Sequence, residues 1–172
     1  MDEKSFQQVY QTHNDAIYQY IFYLIQHREL AEDLTQETFY RAYKQFGTFR
    51  EEEDVKTWIK RIARNLVYDH FRRKQIVNFI PFVNTDDRVE KDTPSDILER
   101  GEAVANLYEA LKELKLPYRE ALVLRKIDGL SIKESADFLG CSEKQVTNNT
   151  ARALKALQKI YEERGYTYVT EL

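Results

Sequence analysis

Phe6, Val9, Tyr10, His13, Ile17, Tyr20, Ile21 and Leu24 recur every three or four residues, the interval at which side chains share one face of an α-helix. They predict an amphipathic first helix with a broad apolar face, on which His13 reads as a packed or boundary histidine. A second helix is expected from 29 to 46, with Leu30, Leu34, Phe39, Ala42, Tyr43 and Phe46 available for packing. Gly47 stands where a C-terminal glycine ends such a helix. Its polar side carries Asp33, Gln36, Glu37, Tyr40 and Lys44, which taken alone read as a solvated face. The third segment, VKTWIKRIARNLVYDHFRRKQ at 55 to 75, sorts at 100° per residue into three stripes. Val55, Ile59, Ile62 and Leu66 form the stripe expected to be buried. Trp58, Arg61, Asn65, Tyr68 and Arg72 lie beside it, with Lys56, Lys60 and Arg64 beyond.

The second half of the chain is patterned differently. Leu107, Leu111 and Leu114 define a helix that ends before Pro117, and Pro117 opens the next, PYREALVLRKIDG, at a position where a first-turn proline is tolerated. GLSIKESADFLGCSEKQVTNNTARALKALQ follows. Ser131 with Glu134, and Ser142 with Gln145, have the spacing of capping boxes, so two helices begin there and meet at Gly140. Ala136, Gly140 and Val146 supply a small residue where the helices touch, a glycine in the turn and a branched residue locking the second helix. These are the parts of a helix-turn-helix, which an ordinary helical hairpin shares in outline. Residues 143 to 158 would be its recognition helix, with Ser142 at its cap. It would present Glu143, Lys144, Thr147, Asn148, Ala151, Arg152 and Lys155, while Val146, Ala153, Leu154 and Leu157 face inward.

Charge separates the two halves. Residues 85 to 102, TDDRVEKDTPSDILERGE, hold seven acids against three bases without sustained periodicity, and read as an acidic linker. Residues 1 to 84 carry 12 bases and 12 acids, and residues 103 to 172 carry 11 and 10, so two near-neutral helical domains flank a negative tether. No apolar run exceeds the six residues of YIFYLI, and the start, MDEKSFQQ, is polar, so neither a membrane span nor a signal peptide is expected and the protein is placed in the cytoplasm. Cys141 is single and three scattered histidines lack ligand spacing, which argues against metals and cofactors. Cys141 itself reads as a small packing residue of the turn.

The stretch at 55 to 75 concentrates seven cations, a Trp, a Tyr and a Phe against one acid, Asp69, in a chain of formal charge −3. Cations hold a phosphate backbone, aromatic faces stack unpaired bases, and an asparagine amide offers a donor and an acceptor to a base edge. The bland alternative makes Trp58 and Tyr68 the edge of the core and the cations mere solubilising charge. For Trp58 the core reading is preferred. For Arg61, Asn65, Arg72, Arg73 and Lys74 the nucleic-acid reading is. The chain has no Gly-rich phosphate loop, no HExxH and no nucleophile triad, so an enzyme is not expected. Two other classes stay open at this point: a regulator binding duplex DNA without polymerase, and a recombinase or nuclease, for which Asp33 with Glu37 is the one close acidic pair.

Three segments together resemble the extracytoplasmic-function (ECF) subgroup of bacterial sigma factors. AEDLTQETFYRAYKQF at 31 to 46 is similar to that family's polymerase-binding helix, TWIKRIARNLVYDHFRR at 57 to 73 to its −10 element, and LSIKESADFLGCSEKQV at 130 to 146 to its −35 helix-turn-helix. The resemblance implies an all-α protein of two small domains, a sigma domain 2-like unit at 1–78 and a domain 4-like unit at 105–172, joined by a linker at 79–104. It implies that Asp33, Gln36, Glu37, Phe39 and Tyr40 dock on the clamp helices of the largest subunit of core RNA polymerase, with the flap of the second-largest subunit as a further contact. It implies that Lys56, Trp58, Lys60, Arg61, Arg64, Asn65, Tyr68, Arg72, Arg73 and Lys74 engage the separated −10 strand, Asn65 receiving a flipped base. Ser142, Glu143, Lys144, Thr147, Asn148, Ala151, Arg152 and Lys155 would engage the −35 duplex. The resemblance also admits an anti-sigma factor as partner. In one respect the chain departs from the family: VTNNTARAL stands where a basic run is usual, with Arg152 retained, so phosphate affinity at the −35 site should be lower and the base preference altered.

Overall fold

The computed structural model describes residues 3–49, 53–78 and 102–166, which fall into two compact helical units. Most of the expected linker, 79–101, lies outside the described residues. Its last three positions, 102–104, belong instead to a helix.

The N-terminal unit packs α1 (Glu3–Ile25), α2 (Arg28–Gln45) and α3 (Val55–Asn78) against one another. Ile17, Tyr20, Ile21, Phe22 and Leu24 of α1 are buried, whereas Tyr10 on the predicted apolar face is largely exposed and His13 is half-buried. The α1–α2 joint is tight because Gln26 adopts a left-handed φ of 57°. Its N–H donates to Phe22 O at 2.8 Å and its amide Nε2 to Tyr23 O at 3.0 Å, so one buried residue satisfies two carbonyls at the end of α1. The next residue, His27, caps α2: its Nδ1 accepts from Leu30 N–H at 3.2 Å.

Two expectations for α2 are corrected. Its core side is Ala31, Thr35, Thr38, Phe39, Ala42 and then Phe46, while Leu30 and Leu34 are half-buried and Tyr43 is exposed. Two threonines serve in a core because their hydroxyls bond back to the helix, Thr35 Oγ1 to Ala31 O and Thr38 Oγ1 to Leu34 O, each at 2.6 Å. Gly47 does not cap the helix in a left-handed conformation: α2 runs into a 3₁₀ turn, Phe46–Thr48, and Gly47 lies within it. Phe6 closes this end of the bundle, making edge contacts with Phe39, Tyr43 and Phe46 at 6.4, 5.2 and 5.1 Å between ring centres.

The C-terminal unit comprises α4 (Glu102–Glu113), α5 (Leu116–Leu122), a π turn (Val123–Ile127), α6 (Ile132–Leu139) and α7 (Glu143–Arg164). Pro117 lies in the first turn of α5, where its missing N–H costs nothing. In the π turn Asp128 N–H reaches back five residues to Val123 O at 2.9 Å, and the Arg125 guanidinium bonds Leu130 O, which fixes the short approach to α6. Leu111, Leu114, Ala121, Val123, Leu124, Ala136, Phe138, Val146, Ala153 and Leu157 form the core.

Arg119 is buried in that unit, an outcome the periodicity gave no sign of. Its Nη2 donates to Lys112 O at 2.7 Å and Leu114 O at 3.1 Å, capping the end of α4 from a neighbouring helix. Burial lowers its pKa to about 10, which still leaves it charged at neutral pH. Arg119→Met keeps the stem and deletes the donors, so the carbonyls of α4 lose a charged partner. The expected loss is about 2–3 kcal/mol. Urea unfolding followed by far-UV circular dichroism reads it, because the sole tryptophan, Trp58, lies in the other unit and does not report on α4.

Candidate polymerase and nucleic-acid interface

On α2, Asp33, Gln36 and Tyr40 are exposed, and Glu37 is half-exposed with its carboxylate 2.6 Å from Arg41 Nε one turn on. Lys44 Nζ stands 4.2 Å above the Tyr40 ring, so this side of the helix carries acids, an amide and an aromatic held by a cation. Phe39 does not belong to it. The ring is buried against Phe6 and Tyr10, the latter at 4.8 Å between ring centres, and Phe39 supports the surface from beneath rather than forming it.

The rotation of α3 differs from the predicted one. Ile59, Lys60, Ala63, Leu66 and Val67 are buried, while Val55 and Ile62 are only half so. The helix touches both α1 and α2, which widens its buried arc beyond a single stripe, and Ala63 within that arc is wholly buried. Lys60 is therefore corrected from an outer cation to a covered one: it is 5% exposed, and its ammonium lies 5.0 Å from the centre of the Tyr20 ring. It is not available to a phosphate in this conformation.

The remaining residues of the set stay on the surface. Arg61, Asn65, Arg72, Arg73 and Lys74 are exposed, and Lys56, Trp58, Arg64 and Tyr68 are half-exposed. Arg64 stacks its guanidinium over Tyr68 at 4.5 Å, and the Trp58 ring leans on Phe49 at 4.9 Å. Trp58 is thus neither a core residue nor a free plate, but a half-exposed ring supported by Phe49. Arg61 pairs at 3.6 Å with half-buried Glu53, through a carboxylate oxygen that is itself covered, and Arg72 pairs with Asp69 at 2.9 Å, a solvent-facing pair worth under about 1 kcal/mol that a phosphate can displace.

His70 lies beneath the cationic end. Its pKa is lowered by burial first, then by Lys74, His27 and Arg73. Protonation is therefore costlier in the folded chain than in the unfolded one, so the unfolded state binds more protons as pH falls. The stability attached to this group is present above the ordinary histidine value of about 6.5 and is lost below it. Chemical denaturation at a series of pH values should show that decline in the wild type, and His70→Gln should flatten it.

In the C-terminal unit the turn is formed where the spacing placed it, with a full capping box at Ser131–Glu134 and the serine half of one at Ser142. Ser131 Oγ accepts from Glu134 N–H at 3.1 Å and Glu134 Oε2 from Ser131 N–H at 2.7 Å, bonds that also lower the Glu134 pKa. Gly140 ends α6 at φ 65°, ψ 38°, with open space where a Cβ would stand, so the conformation and not crowding calls for glycine. Cys141, half-buried, donates its N–H to Ala136 O at 3.1 Å. Ser142 Oγ accepts from Gln145 N–H at 3.2 Å and starts α7.

Val146 and Ala153 are wholly buried and orient that helix. Ser142, Glu143, Lys144, Thr147, Asn148, Ala151, Arg152 and Lys155 are all exposed. Leu154 departs from expectation, standing 45% exposed instead of facing the core. A residue that the sequence did not single out joins this surface: Tyr118 of α5, whose hydroxyl accepts from Arg152 Nη1 at 3.4 Å. The spacing of 34 residues left no local signal for that pair.

A helical unit with a cation, amide and aromatic surface, followed by a helix-turn-helix unit with its second helix exposed, defines a two-part DNA-binding protein. Residues 9–76 match Sigma-70 region 2 and residues 105–157 match Sigma-70, region 4. The chain is 33% identical to the ECF RNA polymerase sigma factor SigX of Bacillus subtilis (strain 168), over 91% of its own length and 84% of that protein. It is 29% identical to the RNA polymerase sigma factor YlaC of the same organism, over 90% and 91%.

Among solved structures, the fold is similar to the sigma factor RpoE in its complex with the anti-sigma factor NepR from Bartonella quintana, with a TM-score of 0.77, 24% identity and coverage of 92% and 98%. It is also similar to CnrH in complex with the cytosolic domain of CnrY, with a TM-score of 0.69, 24% identity and coverage of 94% and 90%. The chain belongs to the ECF RNA polymerase sigma factors.

Proposed function

We propose that the surfaces described above divide the work of a sigma factor as follows. The outer side of α2, Asp33, Gln36, Glu37 and Tyr40, binds the clamp helices of core RNA polymerase, and the C-terminal unit meets the flap. The surface of α3 holds the separated −10 strand, with Asn65 receiving a base edge, Trp58 and Tyr68 offering ring faces, and Lys56, Arg61, Arg64, Arg72, Arg73 and Lys74 neutralising phosphates. The exposed side of α7 enters the −35 major groove.

Polymerase holds both units on one promoter, so two weak readouts become one selective event, and bond formation belongs to the polymerase. The observation that supports this most directly is the company of Asn65: an exposed amide between an exposed Arg61 and half-open rings on a helix whose opposite side is core. An anti-sigma factor is proposed as a further partner, since the sigma factors of similar fold were solved with such partners or with a partner's cytosolic domain. No described helix is long and apolar enough to cross a membrane, and action in the cytoplasm, where polymerase works, is part of the proposal.

Reversing charge at Asp33 and Glu37 together should abolish co-elution with core polymerase while the circular dichroism spectrum stays unchanged. A folded double variant that still co-elutes would remove α2 from the polymerase contact.

The two asparagines separate the promoter elements. Asn148→Ala should weaken promoter binding and relax preference at one −35 position, a loss of about 1–3 kcal/mol in discrimination, with normal strand opening once bound. Asn65→Ala should spare closed-complex affinity and impair opening, or change preference at one −10 position. Permanganate footprinting and binding with all four bases at each position distinguish the two, and an exchange of phenotypes would reassign the helices.

A further inference from the structure

Thr147, Ala151 and Leu154 stand at i, i+4 and i+7 on α7 and so line up along one stripe of its exposed side. Thr147 Oγ1 donates to Glu143 O at 2.9 Å, which turns the hydroxyl back onto the helix and leaves the γ-methyl facing outward. The stripe therefore presents a methyl, a second methyl and an isobutyl group. Leu154 is 45% exposed, since the core of this unit is already occupied by Val146, Ala153 and Leu157. Lys144, Asn148 and Lys155, all exposed, lie within about a third of a turn of the stripe. An apolar line bordered by two cations and an amide on a recognition helix has one counterpart in the major groove of duplex DNA: among base edges there, only thymine carries a methyl group.

We infer that Thr147, Ala151 and Leu154 determine −35 specificity by packing against the C5-methyl groups of thymines in adjacent base-pair steps. The inference rests on the reading of α7 as the duplex-recognition helix. From Thr147 to Leu154 the helix rises about 10 Å, comparable to the spacing of three base pairs and to the width of the groove. Lys144, Arg152 and Lys155 supply phosphate contacts that seat the stripe, and Asn148 supplies the hydrogen-bonded readout beside it.

The test uses holoenzyme reconstituted from core RNA polymerase and the full chain, and a duplex pool randomised over the upstream element with a fixed downstream element. Selected duplexes are resynthesised with deoxyuridine at each thymine in turn, which deletes the C5-methyl and keeps every hydrogen-bonding group. Thymines should be selected in adjacent steps, and uracil at one or more of them should weaken binding about fourfold each, the effect of burying one methyl. Thr147→Ser, which removes only a methyl, and Leu154→Ala should each erase the uracil effect at one position. Specific selection with no position sensitive to uracil would overturn the inference, as would a sensitivity that survives both substitutions. Failure to select any upstream sequence would instead overturn the reading of α7 on which the inference stands.

Discussion

Burial of Ile59, Ala63, Leu66 and Val67 against α1 and α2 fixes how α3 is turned about its own axis, and the surface proposed here for the −10 strand follows from that angle. Each residue on a helix is displaced by 100° from the next, so a slip of one position would carry Asn65 into the buried place of Leu66. The packing is therefore what aims the amide. Tyr20 reinforces it from α1, wholly buried itself and carrying the Lys60 ammonium over its ring, so a side chain that elsewhere would reach for solvent helps define the floor of the surface.

The C-terminal unit solves the same orientation problem with caps. The reciprocal Ser131–Glu134 bonds, the left-handed Gly140 and the Ser142 hydroxyl set where α6 stops and α7 starts, and wholly buried Val146 then sets the rotation of α7. Local rules dominate here, and that is why this half was the more legible. Every residue of the expected −35 set is exposed, on α7 or, for Ser142, at its cap, and both helix starts fall where the serines placed them.

Where the sequence misled, the reason was tertiary. A single apolar stripe describes a helix packed on one neighbour, but α3 packs on two, so Lys60 was assigned to solvent and Val55 and Ile62 to the core. Phe39 fell within a motif associated with docking, yet its ring is needed to close the bundle against Phe6 and Tyr10. Leu154 met the periodicity for burial, but Val146, Ala153 and Leu157 had already filled the space. Arg119 and Tyr118 act across gaps in sequence, on the end of α4 and on Arg152, and pattern along the chain carries no trace of such pairs. The two-unit, all-helical organisation was legible because it depends on periodicity and charge, which a chain displays openly.

The length of α7 has a mechanical consequence. Twenty-two residues make a rod of about 33 Å, more than a groove-reading segment needs. Its far end buries Ile160 and Tyr161 and pairs Arg164 with Glu113 at the end of α4, so the helix proposed to read the −35 duplex is also packed at its base on the first described helix of this unit. Rotation of α7 about its own axis is therefore opposed at both ends, by Val146 beside the turn and by Ile160 and Tyr161 at the base.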